Sequence, residues 1–155
     1  MTKIDPMKRA ILKLLGLAAL SGCAWARGEG RSVSAVVINY TDRYIADVSV
    51  NGQWAGAANA YGGEGNRVEG FIAPSEPKKI VLKVKWNIGS YYSVENDSYT
   101  RAPIESRSAD VEIAKPYPLN PSYLILHFYS DGHVDAELSS ERPVRKIPRP
   151  AGYHG

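Results

Sequence analysis

The sequence predicts an all-β domain, and three observations lead to this fold class. Apolar residues recur at every second position in several short segments, most clearly in Lys79–Trp86, as in strands with one buried face. Turn signals such as Asn51-Gly52 separate these segments at intervals of about 8–12 residues. No stretch after residue 23 shows a helical apolar period. About seven to nine short strands are typical of a single β-sandwich, immunoglobulin-like in outline, and a small β-barrel is the alternative.

The first half of the domain is predicted to contain four strands. Asn51-Gly52 supplies the two positive-φ residues of a type I′ turn, which predicts a hairpin around it. Residues 57–66 are rich in glycine and are predicted to form a loop. The predicted strands are Ser32–Tyr40, Tyr44–Val50, Gln53–Gly56 and Arg67–Ala73.

The second half is predicted to contain four more strands. Residues 87–105 are polar and rich in tyrosine, which predicts a long loop with a partial strand near Tyr91–Val94. Residues 115–121 are punctuated by prolines and predict a crossing connection, and Ser130-Asp131-Gly132 predicts a turn. The predicted strands are Lys79–Trp86, Ser108–Ala114, Tyr123–Tyr129 and His133–Leu138.

The first 22 residues have the pattern of a secretory signal peptide. Basic residues accompany an apolar stretch at 11–20, which is shorter than the ~20 residues that span a bilayer. Leu20, Ser21 and Gly22 then precede Cys23, the only cysteine. This segment resembles the lipobox of bacterial lipoproteins, in which the cysteine thiol receives a diacylglyceryl group and the freed amine is acylated. The alternative is a buried free cysteine in an N-terminal helix.

The lipoprotein interpretation predicts the location of the protein. Two acyl chains anchor a protein stably to a membrane, and Ala24 after the cysteine favours the outer membrane, by resemblance to the usual sorting rule. The predicted organisation is a signal peptide at 1–22, a lipidated cysteine and tether at 23–31, a domain at 32–140 and a tail at 141–155. We therefore expect a lipid-anchored protein of the cell envelope that faces the periplasm.

The net charge of +3 comes entirely from the leader. The leader contains four of the 19 Lys and Arg residues and one of the 16 Asp and Glu residues, which leaves 15 of each sign in residues 23–155. A neutral domain offers no electrostatic support for binding nucleic acid. With Cys23 lipidated, no thiol remains for a disulfide or a redox site.

Two histidines are the first candidates for a chemical site. His127 and His133 flank one predicted hairpin and could hold a metal ion together with Asp131 or Asp135. The simpler interpretation is a histidine packed at the edge of the core beside a histidine in a turn. We therefore predict no metal and no cofactor.

The remaining chemical patterns also favour a non-enzymatic protein. The glycines at 62–65 lack the Lys-Ser/Thr of a phosphate-binding loop, and no G-x-S-x-G elbow occurs. Two carboxylate pairs, Asp97 with Asp110 and Glu105 with Glu112, have no spacing that distinguishes them from solvated charges.

Two surfaces are candidates for binding. Aromatic residues in or beside predicted turns could bind another protein, with core packing as the alternative, and the tail could lie on anionic lipid. The tail has little apolar content and is predicted to be disordered. Its cations are Arg142, Arg145, Lys146 and Arg149, and the candidate aromatics are Trp54, Tyr61, Tyr91, Tyr92 and Tyr99.

Several segments resemble a family of proteobacterial lipoproteins named domain of unknown function 3304. The resemblance covers most of residues 33–140. Many members have cysteines shortly after the glycine-rich loop, where this chain has Arg67–Gly70, so a role of those cysteines does not transfer. The matching segments are Asn39–Ile45 and Val48–Gly52, which look like the N-terminal signature, and Gly62-Gly63, Val84–Trp86 and Leu126–Val134.

Some members of this family resemble immunity proteins for type VI secretion phospholipase effectors. The resemblance implies a protein that binds an incoming lipase-type toxin in the periplasm and blocks its active site. Such inhibition needs an interface, commonly about 800 Å² per partner, rather than a catalytic residue. The alternatives are a structural or glycan- or lipid-binding lipoprotein of the envelope, and a hydrolase whose site uses His127 and His133.

Overall fold

The structure is a computed structural model that describes residues 30–74 and 78–155. Within these residues the chain forms nine strands and no helix. The described residues therefore contain no helix that is long and apolar enough to span a membrane. The predicted leader, Cys23 with its lipobox, and tether residues 24–29 lie outside the described residues. The strands are β1 Gly30–Asn39, β2 Arg43–Val50, β3 Gln53–Ala58, β4 Val68–Pro74, β5 Val81–Ser93, β6 Ser98–Thr100, β7 Glu105–Ala114, β8 Tyr123–Phe128 and β9 Val134–Ser139.

One continuous sheet contains all nine strands, in the order β3-β2-β5-β7-β9-β8-β1-β4 with β6 paired to β5. β7 joins the two halves, because Glu105–Glu112 pairs with β5 while Ile113 and Ala114 pair with β9. The pairs β1–β8 and β7–β9 are parallel. The all-β prediction is confirmed, and the sheet curls into a nearly closed barrel. The architecture is therefore the predicted alternative and not a sandwich of two separate sheets.

The barrel has a seam between β3 and β4, which are the two ends of the strand order. These strands lie near each other without pairing their backbones. The side chain of Gln53 in β3 bridges them, since its Nε2 donates a hydrogen bond of 3.2 Å to the Gly70 carbonyl oxygen. A side chain thus links the two strands where the ladder is missing.

The interior of the barrel is a single apolar cluster. The predicted alternation in β5 is confirmed, since Leu82, Val84 and Trp86 are buried while Lys83 and Lys85 are exposed. Trp86 meets Phe128 of β8 edge to face, with ring centroids 5.3 Å apart. Burial of such side chains contributes roughly 1.5–3 kcal/mol each, which makes this cluster the main source of stability.

β1 and β8 are buried on both of their faces. One face of each lines the barrel interior, and the other carries a second apolar cluster of Val36, Ile38, Tyr40 and Ile125. Strands covered on both sides have nearly continuous apolar sequences. This explains why β1 and β8 lack the strict alternation of β5.

The predicted loop at residues 87–105 is mostly strand, so that prediction was wrong except for its partial strand near Tyr91–Val94. β5 continues to Ser93 and β7 already begins at Glu105. Polar side chains on the outer surface bond to each other here: Asn87 Nδ2 lies 3.0 Å from Asp47 Oδ2, and Ser106 Oγ lies 2.8 Å from Asn87 Oδ1. Because side chains on neighbouring strands bond to its polar groups, this segment can be a strand and still have the polar composition that is typical of a loop.

The two ends of the barrel carry different loops. We call the end where β1 begins, at Gly30, the entry end; it also carries the Asn51-Gly52 turn. We call the opposite end, where β1 ends at Asn39, the far end. The far end carries the glycine-rich loop at 59–66, the β5–β6 turn and the β8–β9 turn.

The glycine-rich loop depends on Gly63, and this predicts a stability difference between two glycines. Gly63 has φ +117°, and a Cβ there would overlap the Val37 carbonyl oxygen, whereas a Cβ on Gly65 would meet nothing within 4 Å. We expect Gly63→Ala to lower the free energy of unfolding by about 2 kcal/mol or more. Gly65→Ala is the matched control and should leave it nearly unchanged in urea unfolding. Equal effects of the two substitutions would contradict this account.

Candidate functional site

A cavity of about 280 Å³ opens at the far end of the barrel. The buried core residues Trp86 and Phe128 form part of its wall. The β1–β2 turn and the β8–β9 turn form the two sides of the opening. Its ionisable lining residues are Asp42, Arg43, Arg107, Asp131 and His133.

Asn39 organises the β1–β2 turn that carries Arg43. The Asn39 side chain is fully buried; its Nδ2 donates to the Arg43 carbonyl oxygen at 2.6 Å, and its Oδ1 accepts from the Thr41 N–H at 2.8 Å. The Thr41 hydroxyl oxygen accepts from the Arg43 N–H at 3.0 Å. Side chains that bond to nearby backbone in this way define a tight turn. The segment Asn39–Arg43 is therefore a structural device that fixes Arg43 at the cavity.

Arg43 is held by neighbours on three sides. Its guanidinium carbon lies 3.8 Å from the centroid of the Tyr91 ring. Its Nε donates to the Gly89 carbonyl oxygen at 2.8 Å, and its Nη1 lies 3.5 Å from Oε1 of Glu105. The Nη2 atom is buried and has no hydrogen-bond partner among the described residues. The side chain is 13% exposed, so this donor is largely removed from solvent.

Glu105 is shared between two guanidinium groups. Arg107 Nη2 donates to Glu105 Oε2 at 2.7 Å, while Arg43 approaches the other oxygen. The hydrogen bond from Arg107, followed by the charges of Arg107 and Arg43, lowers the pKa of Glu105 below its ordinary value. The two guanidinium groups thus share one carboxylate, and Asp42 and Asp131 add two more carboxylates to the lining of the same cavity.

The opposite side of the cavity is formed by the β8–β9 turn. Asp131 accepts hydrogen bonds from the backbone N–H and the ring Nδ1 of His133, at 3.1 and 2.5 Å. These bonds lower the pKa of Asp131. The His133 ring stacks on Tyr129 at 4.2 Å between centroids, which fixes the turn against the barrel.

The two histidines that the sequence singled out do not face a common point. His127 is fully buried, and the ring of Tyr129 stacks against both histidines, with centroids 6.3 Å from His127 and 4.2 Å from His133. Residues 30–74 and 78–155 contain no group of three or more His, Cys, Asp and Glu side chains that could hold a metal ion.

His127 takes part in a buried chain of hydrogen bonds. The Lys146 N–H donates to Tyr40 Oη at 2.9 Å, and Tyr40 Oη lies 2.8 Å from His127 Nδ1. His127 Nε2 lies 3.0 Å from Glu137 Oε1, and Lys146 Nζ lies 3.1 Å from the other Glu137 oxygen. Both ring nitrogens are satisfied when the Tyr40 hydroxyl donates to His127 Nδ1 and the neutral imidazole donates from Nε2 to Glu137.

Residues 141–155, which we call the strap, were predicted to be disordered, and the structure differs. The strap crosses the far end, where Arg145 lies over the Tyr40 ring at 4.8 Å and donates to the Tyr61 carbonyl oxygen at 2.9 Å. Glu64 forms ion pairs with Arg145 and Arg149 at 3.3 and 2.9 Å. A segment with few apolar residues is held here by charge-assisted hydrogen bonds, whose partners lie far away in the sequence.

The structure separates the five aromatic candidates into three groups. Tyr61, Tyr92 and Tyr99 meet at the far end. The ring centroid of Tyr92 lies 6.4 Å from that of Tyr61 and 5.1 Å from that of Tyr99. Tyr92 is only 7% exposed, so it packs within this cluster and offers little surface. The hydrogen bond to Asp97 raises the pKa of Tyr92 to about 12. Tyr99 remains 45% exposed.

The other two candidates lie apart from this tyrosine cluster. Tyr91 supports Arg43 at the rim of the cavity and is 46% exposed. Trp54 is 56% exposed and follows the turn at the entry end, opposite Ser49. The structure therefore places Tyr91 and Tyr99 at the far end and Trp54 at the other end of the barrel.

The carboxylate pairs considered from the sequence are not brought together. Glu112 pairs with Lys79 at 2.8 Å, at the opposite end of β7 from Glu105. Asp97 accepts a hydrogen bond from Tyr92 in the β5–β6 turn, and Asp110 lies opposite Lys83 on the outer surface. Each of these four carboxylates therefore has a separate place in the fold, and neither pair is arranged for joint acid–base chemistry.

Sequence reasoning did not identify Arg43 or Arg107 as site residues. Each is an isolated cation in a polar segment, and only the register places them together: Arg43 lies opposite Tyr91, while Arg107 lies opposite the buried Trp86. The one available signal was the position of Arg43 within the Asn39–Ile45 segment.

The comparison with protein families identifies the relationship. A model of the family described as protein of unknown function (DUF3304) matches residues 38–136. The chain belongs to the DUF3304 family. The DUF3304 match includes Arg43, the cavity and the tyrosines of the far end, and it stops before Glu137 and the strap. No curated protein and no solved structure matches the chain.

The strap contacts predict that Arg145 contributes to stability. Arg145→Ala removes hydrogen bonds to the carbonyl oxygens of Tyr61 and Asn39 and the ion pair with Glu64. We expect a loss of about 1–3 kcal/mol in the free energy of unfolding, with faster proteolysis of the strap. Arg142→Ala is the control, since Arg142 is exposed, and should behave like the parent. Parent-like stability and proteolysis of Arg145→Ala would show that the strap does not depend on this side chain.

The buried histidine predicts a pH dependence of stability. Burial lowers the pKa of His127 below its ordinary value of 6.5, although the hydrogen bond to Glu137 opposes the effect. The unfolded chain therefore takes up this proton more readily, and stability falls as pH decreases below about 6.5. We expect His127→Gln to flatten the decline in the free energy of unfolding between about pH 7.5 and pH 5.

The pH range from about 7.5 to 5 separates the titration of His127 from that of its hydrogen-bond partner Glu137. Burial raises the pKa of Glu137, but the bonds from His127 and Lys146 outweigh it and hold that pKa below 4.5, so its contribution is lost only at lower pH. His133→Gln is the control for removing a half-exposed histidine. An unchanged slope in His127→Gln would assign the pH dependence to other groups.

Proposed function

We propose that this DUF3304 protein is a lipid-anchored envelope protein that binds a partner protein and neutralises it. The partner is a lipase-type toxin delivered by type VI secretion, in keeping with the resemblance of some family members to immunity proteins. The observation that carries the proposal is the far end of the barrel, where exposed aromatic and apolar side chains occur at the same end as a cavity lined by the largely buried Arg43. Tyr91, Tyr99 and Ile104 are 46%, 45% and 74% exposed.

The composition of the far end suits a protein interface. Tyrosine and arginine are enriched where binding energy is concentrated, and rigid side chains lose little entropy on binding. Arg43 is fixed by Tyr91, Gly89 and Glu105, so it is ordered before a partner arrives. Binding at this surface would cover the active site of a toxin without any catalytic residue from this chain.

The position of the N-terminal end of β1 supports a role for the lipid anchor in the proposed inhibition. The chain enters β1 at Gly30, seven residues after Cys23, so a lipid on Cys23 would attach the entry end to the membrane. The far end would then face away from the bilayer. An anchor also raises the local concentration of the inhibitor at the surface that a phospholipase attacks.

The second candidate is a glycan-binding envelope protein, and the outer surface of β2, β5 and β7 favours it. Lys85, Asn87, Ser106 and Ser108 line shallow depressions on this surface. Hydroxyl and amide groups in such an arrangement can bond to sugar hydroxyls. In that case the far end would contribute nothing to binding.

The proposed function predicts that the two ends of the barrel differ in partner binding. The full-length lipoprotein, purified in maltoside detergent, is titrated against a phospholipase effector of type VI secretion, and inhibition of phospholipase activity is measured. We expect Tyr91→Ala combined with Tyr99→Ala to weaken inhibition by about tenfold or more. Trp54→Ala is the matched control, an exposed aromatic at the entry end, and should inhibit like the parent.

Three results would contradict this proposal. The parent protein could leave the lipase fully active and unbound, which would remove the immunity function. The Trp54 substitution could weaken inhibition while the tyrosine pair does not, which would move the interface to the entry end. Binding of glycan fragments that is lost in Ser106→Ala and Ser108→Ala would favour the second candidate.

A further inference from the structure

The entry end of the barrel presents an apolar side chain almost entirely to solvent. Leu119 lies in the connection from β7 to β8 and is 98% exposed. Val81, the first residue of β5, and Trp54, near the start of β3, are also exposed at this end. Single exposed apolar residues are common on folded proteins, so Leu119 becomes informative only through its surroundings.

The loop that carries Leu119 is held against the barrel on both sides of this residue. The Tyr117 hydroxyl oxygen accepts a hydrogen bond of 3.2 Å from the Ile80 N–H. The Asn120 side-chain oxygen accepts one from the guanidinium group of Arg31, near the start of β1. Because its neighbours are fixed in this way, Leu119 can contact another surface without the cost of ordering a flexible loop.

Basic residues outnumber acidic residues at the entry end. Residues 23–155 carry 15 charges of each sign, so a local excess means that the charge is unevenly distributed. Further along β5, Lys83 lies opposite Asp110, which confines the excess to the end itself. The exposed cations at the described strand ends and connections are Arg31, Lys78, Lys79, Lys115 and Arg142, and the carboxylates are Glu112 and Glu141. Five cations against two carboxylates attract anionic groups to this surface.

The proposed lipid would attach at this same end. Gly30, where β1 begins, follows Cys23 by seven residues, and seven residues reach roughly 25 Å at full extension. An anchored protein would therefore keep its entry end close to the bilayer. Even a weak contact between this end and the lipid would be populated, because the tether raises the effective concentration of one at the other.

We propose that the entry end is a membrane-docking face, in which Leu119 enters the interfacial region of the bilayer and the basic side chains around it contact anionic phospholipid headgroups. The inference rests on the lipid anchor of the proposed function and goes beyond it, because the folded domain itself contacts the membrane. Long basic side chains keep their charges at the headgroups while apolar side chains lie deeper. Docking in this orientation directs the far end away from the bilayer.

The first experiment locates Leu119 relative to the bilayer. Because Cys23 is the only cysteine and would be lipidated, Leu119→Cys in the full-length lipoprotein supplies one free thiol, which is labelled with the fluorophore NBD. The protein is reconstituted into vesicles of phosphatidylethanolamine with phosphatidylglycerol. We expect the emission to shift to shorter wavelength and to be quenched by nitroxide groups on the acyl chains. The matched control is the same label at Ile104→Cys, an exposed aliphatic position at the far end, which should show neither effect.

A charge variant tests the role of the cations. The ratio of inserted to aqueous label at position 119 is read from the two fluorescence lifetimes, at a phosphatidylglycerol content where both are present. Lys115→Gln should lower this ratio by about fivefold, the effect of one basic residue near an anionic surface. Arg101→Gln replaces an exposed arginine that follows β6 and should leave the ratio unchanged.

Three results would overturn the inference. The label at position 119 could remain aqueous, or the labels at 119 and 104 could insert equally, which would mean that no end of the barrel is preferred. Insertion at 119 could also persist unchanged when phosphatidylcholine replaces phosphatidylglycerol, which would remove the contact with anionic headgroups.

Vesicle flotation and the lipase titration separate this inference from the proposed function. If the parent floats with the vesicles and inhibits the lipase while the label at 119 stays aqueous, only the docking face is refuted. If the label at 119 inserts but the lipase is neither bound nor inhibited, the immunity function is refuted and the docking face stands. If the parent does not float and Cys23 reacts with a thiol reagent, the anchor is refuted, and the docking face that rests on it is refuted as well.

Discussion

The parallel pairing of β1 with β8 is the interaction on which the rest of this structure depends. It places the end of β1 beside the end of β8, so that the turn carrying Arg43 and the turn carrying His133 become the two sides of one opening. It also aligns the side chains of the two strands on each face, one face packing in the barrel interior and the other in the second apolar cluster. A shift of one residue in this register would exchange the two faces and place His127 in the interior.

Polar groups at the far end are satisfied by partners from distant parts of the chain. Asn39 bonds to the β1–β2 turn and to the glycine-rich loop, where the Asn59 carbonyl oxygen accepts at 3.0 Å. Arg145 of the strap bonds to the same region from a position more than 100 residues later in the sequence. Because these bonds are partly buried and connect several loops, the loops of the far end form one connected surface and not a set of independent segments.

The sequence predicted the structure correctly where local backbone geometry determines it, and it failed where contacts with residues elsewhere in the chain determine it. Alternation predicted the buried set of Lys79–Trp86, and Asn51-Gly52 predicted the turn between β2 and β3, because both depend on local backbone geometry. The extension of β5 beyond Trp86 was missed because lateral bonds between Asn87 and its neighbours leave no local signal. The order of the strap was missed for the same reason, since its anchors are Glu64 and the carbonyl oxygen of Tyr61. The choice of a barrel follows from the double pairing of β7, which no local pattern records.

The two sides of the far end differ in a way that bears on recognition. On the strap side, Arg145, Lys146 and Arg149 are paired with Glu64 and Glu137, so the cations that suggested a lipid-binding tail are largely committed within the chain. On the cavity side, Arg43 and Arg107 share Glu105, and the cavity is open between the β1–β2 and β8–β9 turns. A partner that approaches the far end therefore meets a strap side whose cations are already paired and an open side with Arg43 held in place. Specific binding is expected on the open side, because the exposed Tyr91 ring and the arginine that it supports lie there, and aromatic and arginine side chains carry much of the binding energy at protein interfaces.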